Sequence, residues 1–229
     1  MLSKFKELKD KATMPNMDES TMLKVLDWGY EKALTGGMGV DSIDELANNF
    51  RNGEGSLVDK ANRLIRWQNT KAATTGFVSG LGGIITLPVA IPANISVVIF
   101  MQIRMIASIA ALGGYDVRDD RVKTLVYACL TGNAVSEIMK QAGIQIGNKM
   151  ASSFIQKYVT REILNAINKA VGFRLITKAG QTGVVNLGKM VPFVGGVIGG
   201  SFDAMTTNYI GNTARKVFIE EKTLEELEK

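Results

Sequence analysis

Histidine is absent from this chain of 229 residues, and cysteine occurs once, at Cys129. Without histidine the chain cannot build Ser–His–Asp or Cys–His nucleophilic machinery, or zinc and iron sites ligated by His. A single cysteine excludes an internal disulfide framework and fits a reducing compartment. An enzyme would have to use carboxylates, Lys, Tyr or a substrate-bound Mg²⁺. These absences favour a protein without catalytic activity, and we expect no catalytic residue, no metal site and no cofactor.

Acidic residues are scarce between residues 138 and 192, where eight Lys and Arg stand against one acid, Glu162. The net charge of the whole chain is only +5, because the segment 219–229 is acidic. A basic stretch that is poor in aromatics and adjoins apolar segments favours an anionic membrane surface over nucleic acid as the partner. No zinc-finger, RRM-type or basic-zipper signature is present, so we expect no nucleic-acid partner. The alternative is that these cations form a solvated face of helices.

A signal peptide is also missing, because the N-terminal "MLSKFKELKDKA" alternates Lys with apolar residues and has no apolar core. We therefore expect a cytoplasmic protein. No segment alternates polar and apolar residues as a half-buried strand does, so the predicted fold class is all-α. Residues 1–17 are predicted to form an amphipathic helix or arm, residues 18–219 a single helical domain, and residues 220–229 an acidic tail.

Helix boundaries are marked by local chemistry. Asp18 or Ser20 is predicted to cap a helix that the "GGMG" segment at 36–39 ends. Ser42 and Glu45 have the spacing of a capping box, in which each side chain accepts a hydrogen bond from the other's backbone N–H. We predict further helices over residues 55–72, over the segment "RDDRVKTLVYACLTG" at 118–132, and from Thr160 to Gly172.

Two stretches of the chain are strongly apolar. Residues 72–103 carry no charge, but Pro88 and Pro92 divide them, because proline lacks a backbone N–H and disfavours helix in the residue before it. We predict helices over about 73–87 and 93–112, which form a hairpin over residues 76–112. The second stretch, 190–202, is too short to span a bilayer, which takes about 20 residues. We predict that the hairpin packs on it; whether lipid or protein surrounds the hairpin is left open.

Arg104 lies near the middle of the second predicted helix of this hairpin. An unpaired buried charge is costly, so its guanidinium needs a partner. Asp203, just past the second apolar stretch, is the natural candidate, and we predict an ion pair between them. Glycines four residues apart, such as Gly76 with Gly80 and Gly195 with Gly199, let helices approach closely, a device used in membranes and in tight soluble packing.

The order of these features resembles a known family. The segments are "YEKALTGGMG" at 30–39, "KAATTGFVSGLGGIITLPVAIP" at 71–92, "RMIASIAALGGYD" at 104–116 and "VPFVGGVIGGSFDAMTTNYIGNTAR" at 191–215. Together they resemble the EcsC protein family over about residues 20–218. The resemblance implies a bacterial protein, encoded in some members beside an ABC transporter, and it brings no catalytic residues. Asn94 departs from the family, where an acidic residue often follows the apolar segment.

The predicted binding region, or its structural core, lies in these glycine- and proline-rich segments. Its residues are Gly76, Gly80, Gly83, Pro88, Asn94, Arg104, Tyr115, Asp116, Pro192, Gly195, Gly196, Gly199 and Asp203.

We favour a non-catalytic protein that lies at the inner membrane, peripheral or partly inserted, and acts through lipid or a protein partner. Regulation of a transporter or of an envelope process is the role this suggests, and a homo-oligomer is compatible with it. The first alternative is a soluble helical domain that encloses an apolar or lipid-like ligand. The second is a hydrolase that uses Asp203, Asp116 or Tyr209, which requires these side chains to converge in one cleft.

Overall fold

A computed structural model of the chain describes residues 18–36, 40–72, 93–132, 134–142, 159–181 and 197–220. Within these ranges the side chains of residues 71–72, 93–97, 174, 176–181 and 197–206 are not described. The described residues form α-helices and no β-strand, which confirms the predicted all-α class. The helices are α1 (Glu19–Thr35), α2 (Ile43–Arg51), α3 (Leu57–Ala72), α4 (Ala93–Leu112), α5 (Asp120–Cys129), α6 (Ala134–Gln141), α7 (Arg161–Gln181) and α8 (Val197–Phe218).

Helix α4 is the centre of the described structure. It contacts α1, α2, α3, α5 and α8, and every residue from 100 to 112 is buried. Protein therefore surrounds residues 100–112, which answers for this part of α4 the choice between lipid and protein that the sequence leaves open. Among the described residues, no helix combines the length and the apolar character that crossing a bilayer requires.

The capping residues predicted from the sequence begin α1 and α2 and end α1. The Asp18 carboxylate accepts a hydrogen bond from the backbone N–H of Thr21 at 2.7 Å and begins α1. Gly36, with φ of 63°, ends α1 as predicted. The predicted capping box opens α2, since Ser42 Oγ lies 3.2 Å from the N–H of Glu45, whose carboxylate lies 2.8 Å from the N–H of Ser42. Each cap satisfies a backbone donor that has no partner inside its helix.

The C-terminus of α4 is closed by the "GGYD" segment. Gly114 has φ of 87°, a conformation that favours glycine, and it turns the chain away from the helix. A Cβ at Gly113 would lie 2.5 Å from the carbonyl oxygen of Phe218, so only glycine lets the end of α8 approach this closely. Arg51 donates a hydrogen bond to the carbonyl of Ala111 at 2.6 Å and satisfies one of the last carbonyls of α4.

The prediction that Gly172 ends a helix is wrong, because α7 continues to Gln181. Gly172 is buried against α1, and a Cβ at this position would meet the carbonyl oxygen of Glu19 at 3.4 Å. That distance is an ordinary van der Waals contact, so Gly172 is an interior position of α7 at which alanine would also fit. Helix α8 was not predicted beyond the second apolar stretch, although its buried residues recur at helical spacing: Ile210, Ala214, Val217 and Phe218.

Some of the predicted segments lie outside the described residues. These are the N-terminal arm at 1–17, the first helix of the hairpin at 73–87, residues 190–196 of the second apolar stretch and the tail from residue 221. The packing of the hairpin on the segment 190–202 and the boundaries of the domain therefore stay predictions.

We expect Gly113→Ala to destabilise the protein by about 1–3 kcal/mol, because the new Cβ meets a backbone carbonyl that cannot rotate away. Urea unfolding followed by circular dichroism measures the change. Gly172→Ala is the matched control, because its Cβ makes ordinary contacts. Alanine is favoured over glycine in a helix by about 1 kcal/mol, so this variant should be at least as stable as the wild type. Equal stability of Gly113→Ala and the wild type would contradict the close approach of α8 to α4.

Candidate functional site

Arg104 lies in the middle of α4 with 1% of its surface exposed. Its guanidinium donates one hydrogen bond to the carbonyl oxygen of Asp41 at 3.2 Å and another to Oε1 of Gln68 at 3.4 Å. Its Cζ lies 5.7 Å from the centroid of the Trp67 ring, within the range of a cation–π contact. These contacts join α4 to the segment before α2 and to α3.

Buried hydrogen bonds continue from Arg104 along α4. The amide of Gln68 donates to the carbonyl of Met101 at 3.4 Å, and the hydroxyl of Ser108 donates to the carbonyl of Ile43 at 3.3 Å. Burial lowers the pKa of Arg104 to about 10, and the charge of Asp41 partly offsets that effect. The guanidinium therefore stays charged at neutral pH. We assign this cluster a structural role, since Gln68, Arg104 and Ser108 are all buried.

The predicted partner of Arg104 was Asp203. Helix α8, which carries Asp203, contacts α4, but the side chain of Asp203 is not described, so the ion pair stays a prediction. The side chain of Asn94 is likewise not described, and Gly199 is described as a helical position of α8. The other glycine and proline candidates lie outside the described residues: Gly76, Gly80, Gly83, Pro88, Pro192, Gly195 and Gly196.

Tyr115 and Asp116, two further predicted site residues, have local structural roles. Tyr115 is buried, and its ring packs edge-on against that of Phe218 with the centroids 5.2 Å apart. The exposed carboxylate of Asp116 accepts a hydrogen bond from the backbone N–H of Arg118 at 2.9 Å, which shapes the turn before α5. Neither side chain lines the polar cleft described below.

The hydrolase alternative requires Asp116 and Tyr209 to approach each other. Asp116 precedes α5, whereas the ring of Tyr209 lies against Gly132, which follows α5. The ten residues of α5 span about 15 Å, so the two side chains lie at opposite ends of this helix. The structure does not bring them together in one cleft.

A polar cleft of about 390 Å³ lies between α1, α5 and α7, and sequence reasoning selected none of its residues. Asp27 of α1, Lys123 and Tyr127 of α5, and Arg161 and Asn168 of α7 line it, with Leu164 as an apolar side chain. Within the described ranges, no three His, Cys, Asp or Glu side chains cluster so that they could hold a metal ion. The lining is suited to hydrogen bonds and charge recognition.

The side of the cleft that α1 and α5 form is held together by contacts between their own side chains. Lys123 Nζ lies 2.8 Å from Oδ1 of Asp27, and the hydroxyl of Tyr127 donates to the same oxygen at 2.9 Å. Lys123 also lies 5.6 Å from the ring centroid of Tyr30 and 5.9 Å from that of Tyr127. Burial, and next the charge of Asp27, raises the pKa of Tyr127, so its hydroxyl remains a hydrogen-bond donor at any ordinary pH.

The outer face of α7 exposes both charge and apolar surface. Ile167 and Val171 are buried on the inner face, while Lys169 is exposed on the opposite one. Phe173, one turn after Lys169 on the same face, has 57% of its surface exposed. The sequence showed the charge of this region but not which face of the helix carries it.

The chain matches the EcsC protein family over residues 11–219. It belongs to the EcsC protein family. This EcsC family protein is also 24% identical over 188 residues to the uncharacterized protein YdbA of Bacillus subtilis (strain 168). That alignment covers 82% of the chain and 66% of YdbA, so the chain spans just under two thirds of that relative. No solved structure matches the chain. The family that the sequence segments resemble is confirmed.

We expect Arg104→Met to destabilise this EcsC family protein by about 2 kcal/mol or more, because it removes the donor to the buried Oε1 of Gln68 and to the partly buried carbonyl of Asp41. Arg118→Met is the matched control. The side chain of Arg118 is 63% exposed and pairs with Asp44, so its loss should leave stability close to that of the wild type. Chemical denaturation measures both, and equal effects would contradict the central role of Arg104.

Proposed function

We propose that this EcsC family protein is a non-catalytic protein that associates peripherally with an anionic membrane surface and acts there through lipid or a protein partner. The observation that carries the proposal is Phe173, 57% exposed on the outer face of α7, one helical turn from the exposed cation of Lys169. A transporter is the protein partner we favour, on the family resemblance of the sequence segments.

The segment of the chain that contains Phe173 is basic, which suits anionic headgroups. Residues 138–192, which contain α7, carry eight basic residues and one acidic residue. Each Lys or Arg near an anionic bilayer contributes about 1 kcal/mol of attraction, and that attraction is screened by salt. An exposed aromatic ring on the same face adds apolar contact at the level of the headgroups.

Helix α7 packs on the described helices by its inner face. Its inner residues Ile167 and Val171 are buried, and among the described helices α7 contacts α1, α5 and α6. The outer face can therefore dock on a surface without unfolding the bundle. The polar lining of the described cleft does not support the alternative of an enclosed apolar ligand.

Vesicle flotation across salt concentrations tests the proposal with the full chain. We expect binding to vesicles that contain phosphatidylglycerol, weak binding to phosphatidylcholine alone, and loss of binding as salt rises. Lys169→Gln should weaken binding about fivefold, from the loss of one cation near the surface. Phe173→Ala should weaken it about tenfold, from the loss of apolar contact.

Lys216→Gln is the control for these variants. It removes the same charge from an exposed position on α8, and it should leave vesicle binding unchanged. Absence of wild-type binding to anionic vesicles would contradict the proposed function. Full binding by the variant that combines Lys169→Gln with Phe173→Ala would contradict the assignment of α7 as the contact face.

A further inference from the structure

We propose that the polar cleft between α1, α5 and α7 binds a small zwitterion, a molecule that carries an anionic group and an ammonium group on one short scaffold. The proposal goes beyond membrane association and uses a different side of α7. Arg161, Leu164 and Asn168 follow one stripe of this helix, at intervals of three and four residues, and all line the cleft. Lys169 and Phe173 do not line it.

The cleft contains one cationic and one carboxylate side chain that are available for contact with a ligand. The side chains of Arg161 and Asp120 both line it, and neither side chain makes a hydrogen bond or ion pair within the described part of the chain. The guanidinium fork of arginine matches the paired oxygens of a phosphate or a carboxylate. The carboxylate of Asp120 can accept hydrogen bonds from an ammonium group.

A buried acceptor in the same cleft also needs a donor. Oδ1 of Asn168 is shielded from solvent and has no hydrogen-bond partner in the described structure. Leaving a buried polar group without a partner is costly, and native proteins seldom do so. A ligand in the cleft that donates an N–H or O–H to this oxygen would remove this cost, once a turn of the Asn168 side chain exposes the oxygen to the cleft. An ammonium group has three such donors.

The balance of charge in the cleft favours a zwitterion over a simple ion. Lys123 is already paired with Asp27 at 2.8 Å, so the wall that they form attracts neither sign strongly. The remaining charges, Arg161 and Asp120, are of opposite sign. A pure anion would contact Arg161 but would be repelled by Asp120. A pure cation would contact Asp120 but would be repelled by Arg161. A molecule with both charges satisfies both residues.

The volume of the cleft, about 390 Å³, lies in the range of small-molecule sites, roughly 300–1,000 Å³. Phosphoethanolamine has the required chemistry and is the probe that we choose. The same groups occur free in solution and in the headgroup of phosphatidylethanolamine. The experiment therefore includes one arm for each source.

Isothermal titration calorimetry with the full chain tests the free ligand. We expect phosphoethanolamine to bind at one site per chain, and about tenfold or more tighter than ethanolamine or inorganic phosphate, each of which uses only half of the site. Arg161→Gln and Asp120→Asn should each weaken this binding about tenfold or more. Arg118→Gln, which alters an exposed arginine outside the cleft, should leave binding unchanged.

Asn168→Leu separates a binding role from a structural one. If Oδ1 serves a ligand, this variant weakens phosphoethanolamine binding while the stability of the free protein stays equal or rises, because a buried acceptor without a partner has been removed. A loss of stability with unchanged binding would overturn the role of Asn168. No saturable binding of phosphoethanolamine by the wild type, or equal binding by Arg161→Gln, would overturn the proposal.

The second arm uses phosphatidylcholine vesicles with added phosphatidylethanolamine and no anionic lipid. Vesicle binding that Arg161→Gln abolishes and free phosphoethanolamine inhibits assigns the ligand to the lipid headgroup. Calorimetric binding without vesicle binding assigns it to a free solute. Both outcomes support the site, and both are independent of the anionic vesicles and the Lys169 and Phe173 variants that test membrane association.

Discussion

The guanidinium of Arg104 is held inside the bundle by the carbonyl of Asp41 and the amide of Gln68, and the positions of the surrounding helices depend on that contact. A charge in this position is tolerated only while its acceptors stay within hydrogen-bond reach, because no solvent is present to replace them. The segment before α2, together with α3 and α4, is therefore constrained to one register. Helices α1, α5 and α8 then cover the apolar surface of α4 that remains.

The binding surfaces that we propose lie away from this centre, on α7. Helix α7 packs on α1 and α5 with Ile167 and Val171, lines a polar cleft with Arg161 and Asn168, and exposes Phe173 on its outer face. The same helix can therefore carry two separate binding surfaces.

Local signals in the sequence predicted much of the helical framework and little of the candidate site. Asp18 and the capping box of Ser42 and Glu45 were predicted correctly because a cap involves residues only three apart. Gly172 misled the prediction because glycine occurs inside helices as well as at their ends, and the local sequence does not distinguish the two. The cleft was missed because its wall joins Tyr127 to Asp27, which are 100 residues apart.

The sequence by itself determined the all-α class, the starts of the first helices, the family, and the need of Arg104 for partners, because these follow from composition and short-range spacing. Only the tertiary structure decided which acceptors Arg104 uses, that protein covers α4, and that the charges of α1, α5 and α7 share a cleft. The physical reason is that a buried guanidinium can donate hydrogen bonds to any well-placed oxygen. One of its acceptors here is a backbone carbonyl, a group that every residue carries and no sequence pattern distinguishes.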